Sequence, residues 1–350
     1  MRLEIILMQK KILICCLYLC CIALFLLGST GACPGKEMIY SLSGDQVYQS
    51  TSGSSWDGLY IESDIALHYN DMAFDIPGRI IYLASGTGLL KSSDSGVNWQ
   101  KIYPSGKKES FNTFTISCDD SSFICATTYL YLYISFDRGK TWSRSNLPQK
   151  EIYHIAAFSR ERKIYIAGNK KIFRSSDLGK SWSVINANIS QYAVINDMAV
   201  NPKNSGEIYL PTTVGLYKST DGGKRWWLKS ITPKEWIRTQ KIVYCPSDPS
   251  IMYQLSLDTK QGGLSYLRKS RDGGNTWFTI ATKEEIRVFG VHPLDSSRLY
   301  YLGYSTLEMS GAETLFKNIF ATSNGGKSWK ELDGILPGSE QITRIMIRPW

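Results

Sequence analysis

An eight-residue box, Ser-x-Asp-x-Gly-x-x-Trp, returns along this 350-residue chain at Ser92–Trp99, Ser135–Trp142, Ser175–Trp182, Ser219–Trp226 and Ser270–Trp277. Two worn copies flank the set. Thr322–Trp329 carries Asn324 in the Asp position, and Gln49–Trp56 keeps only Gly53 and Trp56, with Thr51 where the Asp belongs. An Asp two residues before a Gly can accept backbone N–H groups inside a tight turn, while the Gly takes a positive φ that a Cβ would penalise. The box therefore predicts a hairpin turn. Asp94, Asp137, Asp177, Asp221, Asp272 and Asn324 hold the loop, and Trp99, Trp142, Trp182, Trp226, Trp277 and Trp329 wedge their large apolar faces against the sheet. A carboxylate that returns once per structural unit reads as a staple rather than as a catalytic group.

Counted at the first position of each box (49, 92, 135, 175, 219, 270, 322), the spacings are 43, 43, 40, 44, 51 and 52 residues. Such a period belongs to propeller blades or solenoids. Each unit holds four short apolar runs, as in Asn196–Pro202, Glu207–Leu210, Gly215–Lys218 and the stretch after Trp226, and no 3.6-residue periodicity accompanies them. The expected fold is all-β, a seven-bladed β-propeller of four-stranded blades spanning residues 38–350. The first unit opens at Met38-Ile39-Tyr40, which matches a second strand, whereas Ile342–Pro349 matches a first strand with no continuation. Pairing the two ends closes the ring and leaves no exposed sheet edge at the seam.

Residues 1–33 stand apart. Lys10 and Lys11 precede an apolar run from Ile12 to Leu27 and then Gly28-Ser29-Thr30-Gly31-Ala32, the pattern of an export signal; an uncleaved membrane anchor is the rival. Cys33 directly after Gly31-Ala32 resembles the lipobox of bacterial lipoproteins, with Thr30 in place of the usual Leu. The resemblance implies lipidation of Cys33 and a membrane-held protein at the cell surface or in the periplasm, and simple cleavage to a soluble exported form is the alternative. Residues 34–37 would be a short linker. Cys15, Cys16, Cys20 and Cys21 fall in the apolar run, leaving Cys33, Cys118, Cys125 and Cys245 without zinc-type spacing. Cys118 and Cys125 flank the turn Asp119–Ser122 with an offset that does not place them opposite, and buried free thiols are the preferred reading. Beyond Cys33 there are 37 basic and 30 acidic residues, a net of +7. Charge spread over solvated turns favours weak attraction to anionic surfaces and is no sign of nucleic-acid binding.

The repeated boxes resemble the Asp-box (BNR) propellers, a superfamily with sialidases, sortilin-type receptors, oligoxyloglucan-cleaving hydrolases and the exported photosystem II stability and assembly factor group. Size, single ring, export signal and Gly-Gly-Lys-x-Trp boxes are most similar to the last group. That resemblance implies a non-enzymatic scaffold assisting assembly or stability of a membrane-associated complex by binding a protein partner. It covers residues 38–350 and is specific for fold, because the whole superfamily shares the boxes.

Aligned repeats place Asn70, Thr113, His154, Asn196, Gln240, Arg287 and Thr343 in equivalent positions at the starts of the inner strands, lining a wet channel. The extra length of the last two repeats falls in the expected second-to-third loops, 256–265 and 303–317, on the face away from the boxes. Arg238, Arg287 and Arg344 start three adjacent inner strands, with Lys241, Trp236 and Tyr304 close by. This sector is the candidate partner-binding site: arginines form forked hydrogen bonds to carboxylates, and aromatics give apolar contact. Scattered surface charge is the competing explanation.

A sialidase-like hydrolase is the enzymatic rival, since three arginines could grip a sugar carboxylate. No Arg-Ile-Pro signature precedes the first box, and Asp258, Glu284, Glu285 and Glu308 read as solvated loop carboxylates. A carbohydrate-binding propeller without turnover would use Trp236, Tyr304 and Tyr192 for stacking. Phosphate-loop, nucleophile-elbow and His-Glu-x-x-His patterns are missing, the histidines are His68, His154 and His292, and no cofactor or metal is expected.

Overall fold

The computed structural model describes residues 37–349, without 54, 62–67, 78, 104–107, 186–187, 230–236, 261–262, 310–311, 333–335 and 337–341, and without the side chains of 304–317. The expectations for residues 1–33, Cys33 included, lie outside the described residues. Seven four-stranded antiparallel sheets follow one another within a single compact unit, Lys36–Trp350. Blades are numbered here by their boxes. The inner strands of blades 2 to 7 are Tyr69–Asp75, Thr113–Ile116, His154–Phe158, Ala199–Asn201, Ile237–Tyr244 and Val288–Val291. Blade 1 takes its inner strand from the far end of the chain. Arg344–Arg348 pairs antiparallel with Met38–Leu42, from Met38 opposite Arg348 to Leu42 opposite Arg344. The ring is closed as expected, and the seam has no free edge.

Register corrects the first box. Ser92 stands opposite Ile81, Ser135 opposite Ile124 and Ser175 opposite Ile164, and in blade 1 the residue so placed is Ser50, opposite Ile39. The box therefore starts at Ser50 rather than Gln49 and is one residue short. Its hydroxyl accepts the Gly53 N–H at 2.7 Å across three residues, where Ser92 accepts Gly96 N–H at 2.8 Å across four.

In a full box the carboxylate gathers three donors. Asp94 Oδ1 accepts Ser92 Oγ at 2.8 Å and the Asn98 N–H at 2.9 Å, and Oδ2 accepts Asn98 Nδ2 at 2.6 Å, with Ser92 Oγ closing back on Asp94 N–H. Asp137, Asp177, Asp221 and Asp272 repeat this with Thr141, Ser181, Arg225 and Thr276. These side-chain and backbone donors hold each of the four carboxyls down at about 2. Trp56, Trp99, Trp142, Trp226 and Trp277 turn their indole N–H onto the carbonyl of their own box glycine. Trp182 has a buried N–H without acceptor among the described residues, and Trp329 reaches Ile280 O of blade 6 at 2.8 Å.

The boxes also join the blades. Gly96 has φ +89°, and a Cβ there would stand 2.8 Å from Leu59 Cδ1 of blade 1; Gly326 faces Ile280 of blade 6 in the same way, and Gly53 faces Leu332 of blade 7. A second fastening comes from buried tyrosines on the second strands. The Tyr40 hydroxyl donates to Ser95 O at 3.0 Å, Tyr82 to Arg138 O at 3.2 Å and Tyr209 to Gly273 O at 2.7 Å, each bond crossing to the box of the next blade. Burial pushes Tyr40 and Tyr69 up to about 12.

Two further expectations change. The extra length in blades 6 and 7 is strand rather than loop: Met252–Asp258 pairs with Leu264–Ser270, and Leu299–Met309 pairs with Ala312–Thr322 out to Met309 opposite Ala312. Alternating apolar and polar residues let the ladder run on past the blade, so backbone groups pair with each other. The thiols are free, and Cys125 and Cys245 are buried, but Cys118 is exposed because it lies past the end of its strand, Thr113–Ile116.

Replacing Gly96 by Ala is expected to cost about 1–3 kcal/mol in urea unfolding through positive-φ strain and the Leu59 contact. Gly273→Ala, also at positive φ but with nothing within 4 Å, should cost less, and equal losses would remove the packing half of the account. The depressed box carboxyls contribute stability that is complete above their ordinary value of 3.8 and lost as pH falls toward about 2. Acid titration of Asp137→Asn/Asp177→Asn should therefore show a shallower loss over that window than wild type.

Candidate functional site

Inner-strand residues converge on the channel of the ring, and their side chains divide into those spent on the seams and those left over. Blades 2 and 5 carry the same pair, Asn70-Asp71 and Asn196-Asp197. Asn70 Nδ2 donates to Phe111 O at 2.7 Å and Asn196 Nδ2 to Thr239 O at 2.8 Å, so each asparagine ties its blade to the following one. Each aspartate does likewise. Asp71 Oδ2 accepts Thr113 Oγ1 at 2.7 Å and the Phe114 N–H at 3.3 Å, and Asp197 Oδ2 accepts the Ile242 N–H at 3.3 Å. Part of the polar ring foreseen from the repeats is thus fastening. Thr343 belongs to it too, with its N–H 2.8 Å from Leu42 O.

Arg344, the first residue of the closing strand, donates Nε to Asp71 Oδ1 at 2.8 Å, with the carboxylate almost fully buried. The ion pair clips the last strand of the chain to blade 2. Opposite, His154 Nδ1 lies 3.3 Å from Asp197 Oδ1. Burial raises the Asp197 carboxyl, but the His154 hydrogen bond and the nearby charges of His154 and Lys241 outweigh it, leaving the group below the usual carboxylate range. Burial and then the Arg344 guanidinium pull the Lys241 ammonium below its ordinary value, against Asp197 and Asp71. Groups from blades 1, 2, 5 and 6 sense one another in this way only near the axis.

The rim brings the predicted arginines to adjacent blades without making them equivalent. Arg238 is exposed in Ile237–Tyr244 and makes no ion pair among the described residues. Arg287 pairs with Glu285, and Arg344 is held by Asp71. Trp236 lies outside the described residues. Tyr304 stands opposite Lys317 in the extended hairpin of blade 7, and Glu308 stands opposite Glu313. Asp258 is not a solvated loop carboxylate: it ends a strand, is fully buried and accepts the Lys260 N–H at 2.9 Å. Glu284 is exposed at the end of Phe278–Glu284, and Tyr192 is exposed.

Between blades 6 and 7 lies a cavity of about 340 Å³ lined by Thr282, Lys283, Tyr301, Phe320, Trp329 and Glu331. It sits beside the worn box, whose indole has crossed to blade 6. Sequence reasoning missed the Tyr fastenings and the Asn-Asp clamps, although Ile-Tyr at 39–40, 81–82 and 208–209 and Asn-Asp at 70–71 and 196–197 were visible signals. Among the described residues, no group of three or more His, Cys, Asp or Glu is placed to hold a metal ion.

The BNR/Asp-box repeat family matches residues 133–144. Xyloglucanase Xgh74A of Acetivibrio thermocellus is 27% identical over 246 residues, 65% of this chain and 26% of its own length, so this chain spans about a quarter of that relative. Among solved structures, the GH74 enzyme of Niastella koreensis aligns with a TM-score of 0.60 at 16% identity, over 83% of this chain and 46% of that one. A structure of YCF48 bound to D1 peptide aligns with a TM-score of 0.54 at 15% identity, over 83% and 87%. At these identities the structural likeness shows the fold. The hydrolase likeness is to xyloglucanases and is not specific to sialidases.

Asp71→Ala should cost about 2–4 kcal/mol in urea unfolding, because it leaves the Arg344 guanidinium and two buried donors without an acceptor. Arg344→Met should cost less, and an Asp71→Ala protein of wild-type stability would show that the clip does not hold the seam.

Proposed function

Proceeding from a seven-bladed Asp-box propeller, we propose that this protein is a non-enzymatic binding scaffold whose box-free rim takes a carboxylate-rich protein partner. The observation that carries this reading is Arg238, an exposed guanidinium without an ion pair among the described residues, on a rim shared with Arg287. An uncommitted guanidinium offers a forked, charge-assisted contact to a carboxylate. The net charge beyond Cys33 adds long-range attraction to an acidic surface. Likeness to a propeller seen with a bound peptide supports a protein partner. The role is that of the photosystem II assembly factor group, assistance in assembly or stability of a membrane-associated complex. Residues 1–33 act as the export signal, and lipidation at Cys33 would hold the scaffold at a membrane.

A second reading is favoured by the 27% identity to a xyloglucanase: a propeller that binds or cleaves a glycan. The two separate in one experiment. Wild type and Arg238→Ala/Arg287→Ala are titrated with Asp/Glu-rich peptides and with xyloglucan oligosaccharides, and xyloglucan is assayed for released reducing ends. Salt-sensitive peptide binding that weakens about tenfold or more in the double variant is expected. Xyloglucan binding or cleavage without peptide binding would replace the scaffold by the glycan reading.

A further inference from the structure

The repeat serves as its own control. Two residues before the box Ser or Thr, the third strand pairs across to the second, and this pair packs toward the preceding blade. It is Leu90–Leu83 in blade 2, Tyr133–Ala126 in blade 3, Phe173–Ile166 in blade 4, Tyr217–Leu210 in blade 5 and Phe320–Tyr301 in blade 7. Blade 1 has Tyr48–Ser41. In blade 6 both members are polar and one is charged: Arg268 stands opposite Gln254. Arg268 is 7% exposed and Gln254 is fully buried, as is Ser256, the next residue on the same face of the strand. Among the described residues, the buried apolar core between blades 5 and 6 is Ala199, Tyr209, Leu216, Ile242, Tyr244 and Met252, with Trp277 packed against it.

A guanidinium buried this deeply ordinarily has a carboxylate beside it. Arg268 has none. It makes no hydrogen bond or ion pair among the described residues, its Nη1 is wholly buried without an acceptor, and its guanidinium carbon lies 5.2 Å from the centre of the Tyr266 ring. Burial accordingly drags it below its usual value, with only Tyr266 opposing. Ser256 Oγ and Gln254 Oε1 are orphaned beside it. Gln254 Nε2 lies 2.8 Å from Thr239 Oγ1, which can donate as well as accept. Turning the amide lets the Thr239 hydroxyl serve the oxygen and frees the NH₂ group. The inventory is then three donors, from Arg268, Gln254 and Ser256, with the Ser256 hydroxyl itself as the one acceptor among them.

We propose that blades 5 and 6 enclose a binding site for a small oxyanion, held by Arg268 with Gln254 and Ser256. A planar oxyanion matches the guanidinium fork, and its second oxygen takes the hydroxyl or amide donor. The site is independent of the rim and of whatever partner the rim takes.

Thermal melts and calorimetric titrations at constant ionic strength test it, with sodium acetate, nitrate and phosphate as probes and a bulky sulfonate as control. Wild type should show a saturable rise in melting temperature with at least one small oxyanion, with a Kd of about 1 mM or tighter. Arg268→Leu should lose at least tenfold in affinity. Response to acetate alone would identify a carboxylate site, and response to all three a general oxyanion site. Arg268→Leu/Gln254→Leu restores the apolar pair of blade 2; it should melt no lower than anion-free wild type and ignore all the anions. A wild type that does not respond, an equal response to the sulfonate, or a response retained by Arg268→Leu would each overturn the proposal.

Discussion

Each blade of this ring fits its box turn against the blade before it, and the box glycine is where that fit is made: most meet the outer edge of that blade, whereas Gly179 meets Leu132 and Gly274 meets Tyr209 further in. The glycine's positive φ lets the chain reverse, and its missing Cβ lets Leu59, Ile102, Ile280 or Leu332 come close. In the five full boxes the carboxylate holds the turn, and in four of them the indole caps it on its own glycine. A tyrosine hydroxyl then crosses the same gap in several blades. The ring is therefore a chain of nearest-neighbour joints, and closing it requires only that the last joint resemble the others. Leu332 against Gly53 and the pairing of Arg344–Arg348 with Met38–Leu42 meet that requirement.

Polar groups at the axis extend this logic. Asn70, Asp71, Asn196 and Asp197 have their hydrogen bonds taken by the next blade, and Arg344 is taken by Asp71. Such side chains look like a binding site only while their partners are out of view. The groups that carry a functional reading are those left over: Arg238 on the rim and Arg268 between two blades. Both lie in blade 6, one of the two blades whose second and third strands run long.

Much of the architecture was legible in the residues. The box and its period announce a propeller, and the unmatched runs at the two ends announce how it closes. The readings that slipped did so for local physical reasons. Ser50 was hidden because one residue is missing from its box, and only strand register reveals which hydroxyl faces Ile39. The stretches at 256–265 and 303–317 looked like loops because they exceed the common blade length, yet their backbone groups continue the ladder. Asp258 looked like a surface carboxylate because sequence distance from a strand says nothing about burial.

Fold class, blade number and ring closure are written along the chain, because turn chemistry and strand alternation act within a few residues and repeat with the period of the blade. Which polar side chains are already committed emerges from the folded ring. Their partners stand one blade away or at the other end of the chain: Thr113 meets Asp71 across 42 positions and Thr343 meets Leu42 across 301. A hydrogen bond is satisfied in space, so no reading of neighbours along the chain can tell a spent donor from a free one.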